Sequence, residues 1–204
     1  MAMIFFLTGC LLTDAGEIRI TCEDAESCDS SSDVEPPNYT GGYNTQRCEE
    51  PPIATGYALG DIVPDLQFSD HYDEALQLSD FCANTIALVG CVMWSTCFEE
   101  KLEDWFSRYR DEGFTVITMM SETEEMDTPT ATELQEWASA NGITHPVVAD
   151  PNRQILSAFQ AASEYAGDSI SLPNLQLLTP GMVVALSNND LQDFSEAELV
   201  EYLD

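Results

Sequence analysis

Basic residues are nearly absent from this chain. Its 204 residues include six lysines and arginines against 37 aspartates and glutamates, and Lys101 is the one lysine. A formal net charge of −31 repels phosphate backbones and anionic lipid, which excludes a nucleic-acid partner and adsorption to a membrane surface by charge. No apolar run reaches the 18 residues of a membrane-spanning helix. Histidine is scarce, with His71 and His145 the two present, and no Cys-x-x-Cys pair occurs. A zinc site is therefore not expected, and no cofactor is implied. What the chain does hold is seven cysteines and 44% apolar residues, enough for a buried core.

The stretch 85–110 organises the rest. Residues 86–93 form a continuous apolar run rich in β-branched side chains, which reads as a buried central strand. After Ser95-Thr96 the period changes. Phe98, Leu102, Trp105, Phe106 and Tyr109 recur at three- and four-residue intervals, the pattern of one helix face. Cys97 falls where strand turns into helix, and a helix N-terminus favours a thiolate. Glu99, Glu100 and the net charge oppose that effect.

The domain around it alternates strands and helices. Residues 66–68 and 75–78 read as a small hairpin, 85–93 as the first core strand and 96–110 as the first helix. A second buried strand is expected at 114–120. Thr130-Ala131-Thr132-Glu133 has capping-box spacing and opens a helix to about 141. A short strand at 147–149, a helix at 152–162, a hairpin at 175–178 and 182–186, and a helix from the second capping box at Ser195–Glu198 complete the order. Such an order suits an α/β fold with a mixed sheet covered on both faces.

Strand, Trp-x-x-Cys and Glu-rich helix together resemble the active-site segment of thioredoxin-like redoxins, notably TlpA-like thiol-disulfide oxidoreductases and the AhpC/TSA peroxiredoxins. The resemblance continues through Gly60-Asp61-Ile62-Val63-Pro64-Asp65, Leu78-Ser79-Asp80-Phe81 and Gly113-Phe114-Thr115-Val116-Ile117. It extends over His145-Pro146-Val147-Val148-Ala149-Asp150, Leu172-Pro173-Asn174 and Thr179-Pro180-Gly181. It implies a thioredoxin-like fold with a redoxin-type N-terminal hairpin. It also implies a cis Pro173 facing the cysteines, and a groove formed by Trp94, Ser95, Thr96, Leu172 and Pro173. Protein thiols or disulfides, or an extended peptide, would lie there.

The chemistry departs from the pattern. Oxidoreductases of this kind carry Trp-Cys-x-x-Cys, whereas this chain has Trp94-Ser95-Thr96-Cys97. Cys97 matches the second, resolving thiol, and the attacking one is missing. Cys91, six residues earlier and expected to be buried, is the nearest in sequence. The two can pair only if their Cα atoms approach within about 7 Å. Two readings remain open: an oxidoreductase using Cys97 with another cysteine such as Cys91, and a non-catalytic binding or structural module. A single-cysteine peroxidase is disfavoured. Trp94 stands where those enzymes carry Thr, Leu172-Pro173 stands where they carry Arg before the strand, and Arg153 matches a surface position. His145, with no partner in view, reads as structural.

The N-terminus divides into an apolar segment, 1–12, and an acidic tether rich in Ser, Pro and Gly, 13–52; the domain is expected over 53–204. Leu7-Thr8-Gly9-Cys10 looks like a bacterial lipobox, which would lipidate Cys10, tether the chain to the cell envelope and make it an exported protein. The remaining cysteines, Cys22, Cys28, Cys48, Cys82, Cys91 and Cys97, are even in number, as expected for disulfides in an exported protein, but spacing alone leaves fifteen connectivities. Cys22 with Cys28 is a local candidate, and a bridge from Cys48 would pin the tether to the domain.

Self-repulsion in so acidic a chain weakens as the Debye length shrinks from about 8 Å near 0.15 M salt to about 3 Å at 1 M. A salty milieu is the expectation, an ordinary acidic extracellular protein the alternative. The melting temperature should rise steadily from about 0.1 M to about 2 M NaCl, and a flat profile would contradict the halophilic reading.

Overall fold

The computed structural model describes residues 38–50, 52–163 and 171–203. The expectations for Cys10, for a Cys22–Cys28 pair and for residues 1–37 lie outside them. A two-stranded antiparallel hairpin, β1 (Gln67–Ser69) and β2 (Ala75–Gln77), precedes the main sheet. The sheet contains β3 (Thr85–Cys91), β4 (Phe114–Met120), β5 (Val147–Ala149), β6 (Asn174–Thr179) and β7 (Val183–Asp190), in the order β5-β4-β3-β6-β7. β3, β4 and β5 run parallel, while β6 is antiparallel to both β3 and β7. Among the described residues there are four α-helices, α1 (Glu99–Tyr109), α2 (Ala131–Asn141), α3 (Gln154–Ala162) and α4 (Glu196–Val200).

Strand periodicity sorts the core into two layers. On β3, Ala87, Val89 and Cys91 face a cluster that includes Leu102, Trp105 and Phe106 of α1, Leu134 of α2 and Leu199 of α4. Ile86 and Leu88 face the other cluster, with Leu156 and Phe159 of α3 and with Phe68 and Leu76 of the hairpin. All seven residues of β3 are buried, as befits the central strand of a sheet covered on both sides. Gly90 lies against α3, and a Cβ there would stand 2.3 Å from Leu156 Cδ1. The bare backbone at Gly90 lets α3 close down beside Cys91.

The two capping boxes form as their spacing predicts. Thr130 Oγ1 accepts from the Glu133 N–H at 3.3 Å, and the Glu133 carboxylate accepts from the Thr130 N–H at 2.8 Å. Ser195 and Glu198 repeat the arrangement at α4. The first helix starts later than expected. It begins at Glu99 rather than 96, and Phe98 caps it in a left-handed conformation, φ 57°.

Residues 38–50, which sequence composition assigns to the tether, are packed on the domain. Tyr39 and Tyr43 are buried in the second cluster. The Tyr43 hydroxyl donates to Asp70 at 2.8 Å, and the Tyr39 hydroxyl and Arg47 guanidinium both bond the buried Asp80. Burial, reinforced by these carboxylates, holds both phenols protonated far above their usual range. Cys48 bridges to Cys82, with Cα atoms 5.3 Å apart, across a separation of 34 residues. Closing a loop of that length removes unfolded-state entropy equivalent to about 4 kcal/mol. The packed region thus begins before residue 53.

Candidate functional site

β3 ends at Cys91, and the chain then crosses to α1 through residues 92–98. Cys91 is held by Ser121, whose N–H and hydroxyl both donate to the Cys91 carbonyl, at 3.0 and 3.2 Å. Cys97 returns to the same point. The two are joined in a disulfide, Cα atoms 5.8 Å apart, inside the limit for a bridge. Both are dry, at 0% and 1% exposure. The structure therefore brings together the two cysteines that sequence reading named, but as a buried bridge rather than a free thiol at a helix start.

The electrostatics around Cys97 are unfavourable to a thiolate. The carbonyl oxygens of Val92 and Ser95 stand 3.8 and 4.0 Å from its sulfur. Its N–H donates to the Glu99 carboxylate at 3.2 Å. Because the left-handed Phe98 intervenes, Cys97 lies before the helix cap, outside the first turn whose N–H groups would stabilise negative charge. Lys101 is committed to the carbonyls of Leu191 and Phe194, at 2.7 and 2.6 Å.

The residues expected to form a groove have differing surroundings. The Leu172-Pro173 bond is cis. Carrying the β3–β6 register one step past the Gly90–Asn174 pair sets Pro173 level with Cys91. Pro173 is buried, and Leu172 is half-buried against the second core cluster. Trp94 is half exposed on the loop between the cysteines, and its indole N–H donates to Glu122 at 3.3 Å. Thr96 is exposed and lines a hollow with Phe98, Trp105, Arg108 and Glu196 beside α1. Ser95 is half-buried, its N–H donating to the Val92 carbonyl at 3.3 Å.

Two participants escaped sequence reading. Glu122 accepts from Trp94, pairs with Arg153 at 2.8 Å, and offers its carbonyl to the Met93 N–H at 2.9 Å. In sequence Glu122 lies in an acidic loop and Arg153 at a surface position, so neither carries a signal.

The AhpC/TSA family profile matches residues 59–187, more than half the chain. The chain belongs to the AhpC/TSA family. No curated protein matches it. Among solved structures, this AhpC/TSA domain is similar to a secreted thiol-disulfide isomerase from Corynebacterium glutamicum, at 15% identity and TM-score 0.55, covering 78% of this chain and 92% of that one. It is also similar to the thioredoxin domain of a thiol-disulfide oxidoreductase from Bacteroides vulgatus, at 13% identity and TM-score 0.53, covering 72% and 99%. A protein from Chlorobium tepidum assigned as thiol:disulfide interchange protein DsbE matches at 14% identity and TM-score 0.53, covering 74% and 100%. The fold is thioredoxin-like.

Behind the site, His145 is structural. It is fully buried, with Nδ1 3.1 Å from Glu103 on α1 and Nε2 2.9 Å from Thr118 on β4. Burial holds its pKa below 6.5, so the ring is neutral at neutral pH and Nδ1–H donates to Glu103. Burial pushes the Glu103 carboxyl up, but the bond from His145 and two from Thr144 outweigh it, and its pKa falls to about 2. Both groups therefore favour the fold above their unfolded pKa values and lose that contribution on acidification. Stability should decline as pH drops below 6.5, when the unfolded histidine charges, and again from 4.5 towards 2 as Glu103 protonates. In melting curves across this range, Glu103→Gln should lower the neutral-pH melting temperature and flatten the lower leg. An unchanged lower leg would remove Glu103 from the account.

Proposed function

We propose that this AhpC/TSA protein is an exported thiol-disulfide exchange protein whose redox couple is Cys91–Cys97. The observation that carries the reading is the bridge itself. It lies at the carboxyl end of the central strand, level with Pro173, where strand passes to helix. The relatives named as thiol-disulfide enzymes support the reaction class, and protein thiols or disulfides are the substrates it would take.

The exchange runs through Cys97, which lies in the loop, whereas Cys91 is fixed in the strand. A substrate thiolate attacks the Cys97 sulfur. The Cys91–Cys97 bond breaks, a mixed disulfide forms on Cys97, and Cys91 leaves as a thiolate that takes up a proton. The second substrate thiolate then attacks the substrate sulfur of the mixed disulfide and releases Cys97, which is protonated in turn. Two electrons pass from the substrate dithiol, now a disulfide, to the protein, now a dithiol. The reduced protein reverses these steps on a substrate disulfide.

Carbonyl oxygens and Glu99 around Cys97 withhold from its reduced form the thiolate stabilisation that makes a couple oxidising. The couple should therefore be a reducing one, at or below about −270 mV. A second reading, a locked disulfide in a non-catalytic module, is favoured by the dryness of both sulfurs. Redox titration with mapping of alkylated cysteines, together with an insulin-reduction assay, separates the two. Exchange with protein disulfides at a potential in the stated range supports the redox couple. A Cys91–Cys97 bridge inert to protein substrates establishes the module instead.

Export is supported by the two described disulfides, which persist in oxidising compartments. The lipid anchor rests on Leu7-Thr8-Gly9-Cys10. When the full chain is expressed in a bacterial host, Cys10→Ser should move it from the membrane fraction to the soluble one. Equal partitioning of the two forms would remove the anchor.

A further inference from the structure

The buried bridge poses a problem of access. An attacking thiolate needs an open line to one sulfur, yet both are covered, and the residues between them are the loop that must move. That loop is tied down at Trp94 and Met93, both to Glu122: the indole N–H to its carboxylate and the Met93 N–H to its carbonyl. The other carboxylate oxygen of Glu122 takes Arg153 Nη2 at 2.8 Å. One carboxylate thus spans the start of α3 and the loop closed by the disulfide.

The backbone delivers Arg153 to this point at a cost. Asn152 and Arg153 are consecutive non-glycine residues in the left-handed region, φ 56° and 55°. Side chains rarely adopt that region unless their surroundings enforce it, and such residues cluster at functional sites. Here the enforcement comes from Asp150, fully buried. Its carbonyl accepts the Arg153 N–H at 3.0 Å, and its carboxylate accepts the N–H groups of Ile155 and Leu156, at 3.0 and 3.3 Å. Arg153 Nε is buried with no partner among the described residues, and Glu122 takes the guanidinium through Nη2.

We propose that Arg153 is a positioning residue of the Cys91–Cys97 site, acting through Glu122 to latch Trp94 and hold closed the loop over the disulfide. The proposal rests on the reading of that disulfide as the redox couple. Reduction proceeds from the fraction of molecules in which the loop has opened, and the latch sets that fraction. Freed of Arg153, Glu122 can swing towards solvent and Trp94 loses a fixed acceptor.

The test is the rate at which dithiothreitol reduces the bridge in the full-length protein. Its first thiolate forms a mixed disulfide, its second closes the six-membered cyclic disulfide, and both protein thiols are released. Quenched samples are alkylated and each cysteine is quantified by mass spectrometry, so Cys48–Cys82 serves as an internal reference. Arg153→Gln and Trp94→Phe should each speed Cys91–Cys97 reduction about fivefold, the scale of one partly exposed charge-assisted hydrogen bond. The double variant should be no faster than either single one, because both release the same latch. Arg153→Lys should restore part of the slow rate. Reduction of Cys48–Cys82 should not change. Unchanged Cys91–Cys97 rates, additive effects of the two substitutions, or equal acceleration of both disulfides overturns the latch. If the variants accelerate as stated while no form exchanges with insulin, the latch stands and the redox function falls. If insulin is reduced at the same rate by all forms and dithiothreitol kinetics do not differ, the function stands and the latch falls.

Discussion

Everything in this domain hangs on the burial of one strand. β3 is enclosed by β4 on one side, β6 on the other, and helices above and below. No residue of it can shift register without carrying apolar side chains to the wrong layer. That fixes Cys91 at the strand's last position. Cys97 must come to it, and it does so by shortening α1 at its start: the chain enters the helix at Glu99 through a left-handed Phe98. The bridge thereby fixes where the helix begins. It also removes Cys97 from the helix N-terminus, the one feature that would have activated its thiol. The same placement that brings the two sulfurs together leaves Cys97 without a helix N-terminus to stabilise its thiolate.

Much of the fold was legible because its signals are local. The apolar run at 86–93, rich in β-branched residues, reads better as a buried strand than as anything else, and the two capping boxes announce α2 and α4 through residues three apart. The hairpin at 179–181 reads directly from Thr-Pro-Gly. What stayed hidden depends on partners distant in sequence. Tyr39 and Tyr43 sit among Pro, Gly and acidic residues and look like a tether, yet their hydroxyls meet Asp80 and Asp70 in the folded interior. Glu103 and His145 are 42 residues apart and find each other across two elements.

The site was legible in part for the same reason. Cys91 and Cys97 stood out as residue types, and Cα separation was the right criterion, but spacing alone could not decide it. Their dryness could not be seen either, since it comes from packing between α1 and the sheet. Glu122 and Arg153 lie in segments whose composition says only that they are polar. Among 37 acids a single functional carboxylate has no mark of its own, and the shortage of cations is what makes the placement of Arg153 informative.

The strap formed by residues 38–50 changes what counts as a minimal folding unit. A fragment cut at residue 53, the boundary that composition recommends, would begin with two buried aspartates stripped of their phenol and guanidinium partners. It would also carry Cys82 as an odd thiol, next to an uncovered apolar face, free to cross-link one copy to another. Aggregation of such a fragment would report on a missing piece of core, and should not be taken as evidence that the family fold is unstable in this sequence.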